Sequence, residues 1–226
     1  MTGVASPWLQ AARGALAGLV LLAGLPGVAA AGATASKFTF SVKTNYYSVA
    51  GVTDSAVRAS LAKARPGGAT QPYDAATAWQ TRYTFTYDTQ DGRCRLTACT
   101  VTTTAVVTMP FLRPAKELPL DLLQRWSAYF KGVTVHEQGH LRLAHEATAE
   151  VARRLDALGT AESAAELTRQ VRATADAVLN EARAKERAYD EQTRHGATQG
   201  ALIGWRPDPP ATGPAAAPTG PTGPPH

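Results

Sequence analysis

The sequence predicts an α+β fold, with a small antiparallel sheet in the N-terminal half packed against a helical C-terminal half. Two observations predict it. Between Lys37 and Pro110 the segments of period-two alternation are interrupted by one short helical stretch, and from Pro114 onward the composition is helical almost throughout, with caps and stops in the right places.

The first strand is expected in "KFTFSVKTNYYSVAG", where Phe38, Phe40 and Val42 alternate with polar neighbours before Gly51. In "VTDSAVRASLAKARPGG", Thr53 or Asp54 can cap a short helix that sets Val57 and Leu61 on one face, and Pro66-Gly67-Gly68 stops it. The clearest strand is "AWQTRYTFTYD": Trp79, Thr81, Tyr83, Phe85 and Tyr87 share one face. A turn at "DTQDGRC" leads into the β-branched run "TACTVTTTAVVTMP", which should break at Pro110.

The first long helix is "LPLDLLQRWSAYFKGVTVHEQGHLRLAHEATAEVARRLDALG", with Gly132 expected to mark a bend or a junction between two helices. A second long helix starts at "SAAE", where Ser163 caps and Glu166 can reach back in a capping box. It runs towards Gly196, the expected stop.

The two ends read as something other than domain. Arg13, then an apolar Ala/Leu/Gly run from Ala15, then the small residues Ala29 to Ala31 follow the order of a secretory signal peptide, assigned here to residues 1–31. Residues 206–226, "RPDPPATGPAAAPTGPTGPPH", have almost nothing to bury and are expected to be a disordered tail. Between them, residues 37–205 form one domain. No later segment is apolar enough to span a bilayer.

Cys94 and Cys99 are the only cysteines, and an even count in an exported chain predicts a disulfide closing "CRLTAC". The net charge of +5 is scattered through the helices. Without a basic run interleaved with aromatics there is no nucleic-acid footprint. The expected partner is a protein or peptide substrate, met by a monomer.

The chemistry concentrates in "TVHEQGHLRLAHE", which holds three of the five histidines. His136, Glu137 and His140 form HExxH. Positions four apart on a helix differ by only about 40° around the axis, so both imidazoles can meet one zinc ion. Glu137 then sits beside the water such an ion would acidify and can take its proton as general base.

A second motif, "YDEQTRHG" from Tyr189 to Gly196, ends the following helix. Together with "YYSVAG", "LAKARPGG" and "HEQGH" it resembles a family of bacterial predicted secreted zinc-dependent proteases, catalogued as a domain of unknown function. The similarity covers most of Lys37 to Leu202. The resemblance implies a zincin-like, periplasmic or secreted zinc metalloprotease in which His136, Glu137 and His140 match the family's HExxH. Arg142 departs from the broader zinc-protease pattern, which tends to be apolar at that position.

The third ligand is open to several residues. His145, nine positions after His136, faces the opposite side of a continuous helix. Glu146 stands at the spacing of a third ligand in metzincin proteases, but the chain lacks the glycine that breaks the helix there. If the two long helices pair as a hairpin about Gly159 to Glu162, Glu181 and Glu186 lie level with HExxH, and Asp190 lies about 10 Å beyond. His195, which Gly196 leaves free to turn inward, is expected as the third ligand. Asp190 is the alternative, or a partner orienting a ligand histidine, and Tyr189 is a candidate for stabilising an oxyanion. The expected function is peptide-bond hydrolysis with Zn2+. The alternatives are a non-catalytic envelope-binding module on the same fold, or hydrolysis of peptidoglycan peptide links.

Overall fold

The structure is a computed structural model and describes residues 35–68, 73–116 and 118–203. The proposed signal peptide and the C-terminal tail lie outside the described residues. Among those residues no helix is long and apolar enough to cross a membrane.

Three strands form one sheet: β1 (Ala35–Val49), β2 (Ala76–Gln90) and β3 (Arg93–Leu112), in the order β1-β3-β2. The α+β arrangement is as expected, but the sheet is mixed. β2 and β3 are a hairpin and pair antiparallel, whereas β1 pairs parallel with β3. The chain between β1 and β2 includes the helix α1 (Asp54–Ala64), a crossover long enough to set β1 parallel to β3. Thr53 caps α1 with its side chain, accepting from the Ala56 amide.

β3 runs on through Pro110 to Leu112 rather than breaking at the proline. Its ladder with β2 ends at Thr108, so beyond that point β3 has one neighbour, β1, and proline's missing donor is tolerated at such an edge. β3 buries Val101, Thr103, Ala105, Val107 and Met109 in strict alternation.

Helices α2 (Leu120–Asp156) and α3 (Ala164–Thr193) cover one face of this sheet. α2 buries Leu122, Tyr129, Val133, His136, His140, Ala144, Ala147, Val151 and Leu155, at helical spacing. Leu155, Leu167 and Val171 are fully buried against Val101 and Leu96, and each such side chain contributes about 1.5–3 kcal/mol by its removal from water. A buried hydroxyl chain fixes how α2 is seated: Thr148 Oγ1 donates to Thr103 Oγ1 at 2.7 Å, and Thr103 is 2.7 Å from Thr81 Oγ1. Ser163 caps α3 by accepting from the Glu166 amide, as its sequence predicts.

Gly132 marks no bend, since α2 passes through it unbroken. Its missing side chain serves another purpose: a Cβ there would lie 2.2 Å from the backbone carbon of Gly200. The chain after α3 folds back through a short 3-10 turn, Ala197–Gln199, and crosses α2 at Gly132. This return is what closes the site.

The predicted Cys94–Cys99 disulfide is absent, and both thiols are free and buried. A register shift in the β2–β3 ladder leaves Thr97 as an extra residue between Leu96 and Ala98, which restores both cysteines to the core face. At about 3.3 Å per strand residue their Cα atoms lie about 15 Å apart along β3, far beyond the ~7 Å a disulfide can bridge.

Candidate metal centre

His136 and His140 lie one turn apart on the buried face of α2, and their rings meet edge to face at 4.8 Å. Opposite them, in the last turn of α3, stands Asp190. A carboxylate there faces the negative end of the helix dipole and needs a cationic partner. His140 Nε2 is 3.0 Å from Asp190 Oδ1, His136 Nε2 is 3.3 Å from it, and the two Nε2 atoms are 3.3 Å apart. Among the described residues these three form the group of side chains able to hold a metal ion.

The far nitrogen of each ring is engaged elsewhere. Gln199 Oε1, from the returning 3-10 turn, is 3.1 Å from His136 Nδ1. Glu186 Oε1 is 3.6 Å from His140 Nδ1 and accepts from Trp79 Nε1 at 2.7 Å. Both partners favour a proton on Nδ1, which turns each Nε2 lone pair inward. Below them the Tyr189 ring stacks on His136 at 5.2 Å, and its hydroxyl donates to the His136 carbonyl at 3.2 Å. Gly139 makes room for that ring: a Cβ would fall 2.0 Å from the Tyr189 oxygen.

The electrostatics suit a cation. Burial pushes His140 down, but hydrogen bonds to Asp190 and Glu186 and the charges of Asp190 and Glu137 prevail and raise it to about 10. Asp190 shows the reverse: burial alone would raise it, yet the two imidazoles hold its carboxyl far below the usual range. Carboxylates that keep a neighbouring histidine protonated also favour a divalent ion. Glu137 is buried, which raises its pKa above the ordinary carboxylate value despite the hydrogen bond from Thr77 Oγ1, at 2.7 Å, and the nearby imidazoles.

His195 lies outside the three-residue group. Its Nδ1 is 3.6 Å from Asp190 Oδ1, while its Nε2 is 2.8 Å from the Tyr73 hydroxyl. Asp190, the alternative from the sequence, is the residue brought to both histidines. The hairpin count misplaces it because the connection between α2 and α3 is not a tight turn: Ala161 bridges to Cys94 at the start of β3, and the two helices pair with a stagger that sets Asp190 beside His140. In consequence Glu181 pairs with Arg154, well away from HExxH. His145 packs edge-on against Phe38 and Phe40. Glu146 pairs with Arg142 at the surface.

Residues 44–196 match the family described as bacterial protein of unknown function, DUF922. The chain belongs to this family. The matched span contains all three members of the metal group, Glu137, Thr77, Trp79 and Glu186, whereas Gln199 and Gly200 lie beyond it. Neither the curated proteins nor the solved structures yielded a match.

Sequence reasoning missed Thr77, Trp79 and Gln199 as parts of the site. The alternation that sets Trp79 on one face of β2 extends back to Thr77, but nothing local says that this end of the face meets HExxH.

Proposed function

We propose that this member of the DUF922 family is an exported zinc-dependent peptidase, with zinc held by His136, His140 and Asp190. The observation that carries the reading is the triangle of ligand atoms, with edges of 3.0, 3.3 and 3.3 Å. Tetrahedral zinc with bonds of about 2.0–2.1 Å sets its ligand atoms about 3.3 Å apart, and three protein ligands leave a fourth position open. Such an ion acidifies a water to a pKa of about 7 and polarises a carbonyl oxygen.

The protein's own part falls to Glu137. It is buried on α2 beside the two ligand histidines, the placement a general base needs to reach a water held at the open position. Thr77 binds Oε2 and so fixes the carboxylate's orientation, leaving Oε1 to accept the water's proton and pass it to the leaving amine. Export rests on the signal-like order of residues 1–31.

The test is metal analysis of the purified chain with cleavage of fluorescent casein by wild type and Glu137→Gln. The reading expects one zinc per chain in both, and at least about a 100-fold loss of cleavage in the variant. A wild type that holds no zinc, or a variant that cleaves as fast, overturns it.

A further inference from the structure

Most polar groups around the three ligand atoms are committed to the protein interior: Thr77 to Glu137, Trp79 to Glu186, Gln199 to His136 and Tyr189. Tyr73 and His195 differ. Both are exposed at the surface, about 40% and 39% respectively, yet their rings stack at 4.1 Å and the phenol oxygen sits 2.8 Å from His195 Nε2.

Each is held there at some cost. Asp74, the residue after Tyr73, is clamped from three sides: the Tyr47 hydroxyl donates to its carbonyl at 2.6 Å, the Tyr129 hydroxyl donates to Oδ2 at 2.8 Å, and Arg65 Nη1 lies 3.3 Å from Oδ1. Those three partners come from β1, α2 and the end of α1. On the other side, Arg194 and His195 both adopt left-handed backbone, with φ of 50° and 51°, a conformation that costs a non-glycine residue about 1–2 kcal/mol. Strain and clamping spent on two solvent-facing side chains, beside the oxygen that would ligate the metal, fit a functional role better than a packing one.

We propose that the Tyr73 hydroxyl is a catalytic group of this site, donating a hydrogen bond to the carbonyl oxygen of the scissile bond as that oxygen becomes an oxyanion, with His195 as the residue that positions it. The inference rests on the peptidase reading above. Asp190 Oδ1, 3.6 Å from His195 Nδ1, is committed to the metal in this reading, so His195 carries its proton on Nε2, donates to the phenol oxygen and leaves the phenol hydrogen for the substrate. Tyr73 keeps its proton throughout: the water oxygen bonds to the carbonyl carbon, its proton passes to Glu137 and then to the leaving nitrogen, and the carbon–nitrogen bond breaks. Burial, followed by the charge of Asp190, raises the pKa of the phenol, which keeps it a donor.

The experiment compares zinc-loaded full-length wild type with Tyr73→Phe, His195→Ala and His195→Gln. Two measurements are made: casein cleavage, and calorimetric binding of a phosphinic analogue of an Ala–Ala peptide bond, whose tetrahedral anion copies the oxyanion. Tyr73→Phe keeps the stacked ring and should retain zinc content, thermal midpoint and KM. Loss of one oxyanion donor should lower kcat by about 100-fold or more and weaken the phosphinate by a similar factor. His195→Ala should lower both, and His195→Gln, which can still donate, should recover part of the loss. If Tyr73→Phe leaves kcat unchanged, or if the phosphinate binds both proteins alike or neither, the role of Tyr73 is overturned while the peptidase reading stands. A zinc-loaded wild type that cleaves nothing overturns the peptidase reading itself.

Discussion

Cys94 and Cys99 show how one extra residue redirects a prediction. Without the shift at Thr97 an odd spacing would place them on opposite faces of β3; with it, both enter the core beside Leu96, Val101 and Leu167. Burial there raises Cys99 to about 11, with the charge of Asp156 adding to the rise against a lowering by the neighbouring Ser36. A thiol so far above neutral pH and out of solvent is inert, because only the thiolate reacts. Titration with a disulfide-exchange dye should therefore find almost no thiol in the native protein, and two per chain once guanidinium unfolds it. If denaturation without a reductant releases none, the cysteines are bridged and the bulge does not hold in solution.

Among the elements, the sequence announced those whose signals are local. The capping residues Thr53 and Ser163, the alternation of β2 and the helical run around HExxH are each written within a few positions. What stayed hidden depends on distant contacts. The parallel pairing of β1 with β3, the bridge of Ala161 to Cys94 and the close approach of Gly200 to Gly132 all join distant parts of the chain, and none has a local signature. Gly132 suggests a helix break because glycine is a poor helix former, whereas here a backbone must approach it closely. That approach brings Gln199 onto His136, so Gln199→Ala should weaken zinc about 10- to 100-fold, the usual effect of losing such a partner. Gly132→Ala should weaken zinc as well, since its Cβ would meet the backbone of Gly200 and push the whole turn outward. Competition with a zinc-sensitive dye measures both, and unchanged affinity in the two variants would detach the C-terminal return from the site.

In the whole molecule the candidate centre is where most of the fold converges. α2 supplies His136, Glu137 and His140, α3 supplies Asp190 and Glu186, β2 supplies Thr77 and Trp79, and the returning chain supplies Gln199. An ion shared by α2 and α3 binds the folded state alone, because unfolding separates ligands fifty positions apart in the chain. Mass action then requires zinc at 100 times its Kd to add about 2.7 kcal/mol of stability, which for a domain of this size raises the thermal midpoint by about 5–11 °C. A chelator should reverse the shift, and Asp190→Asn should abolish it, since a neutral amide is a poor ligand for zinc. His195→Ala should retain it, because His195 stands outside the triangle and is bonded to Tyr73. Calorimetric scans of the three proteins with and without zinc decide the matter. A shift that survives Asp190→Asn and disappears in His195→Ala would make His195 the third ligand and free Asp190 to orient the histidines.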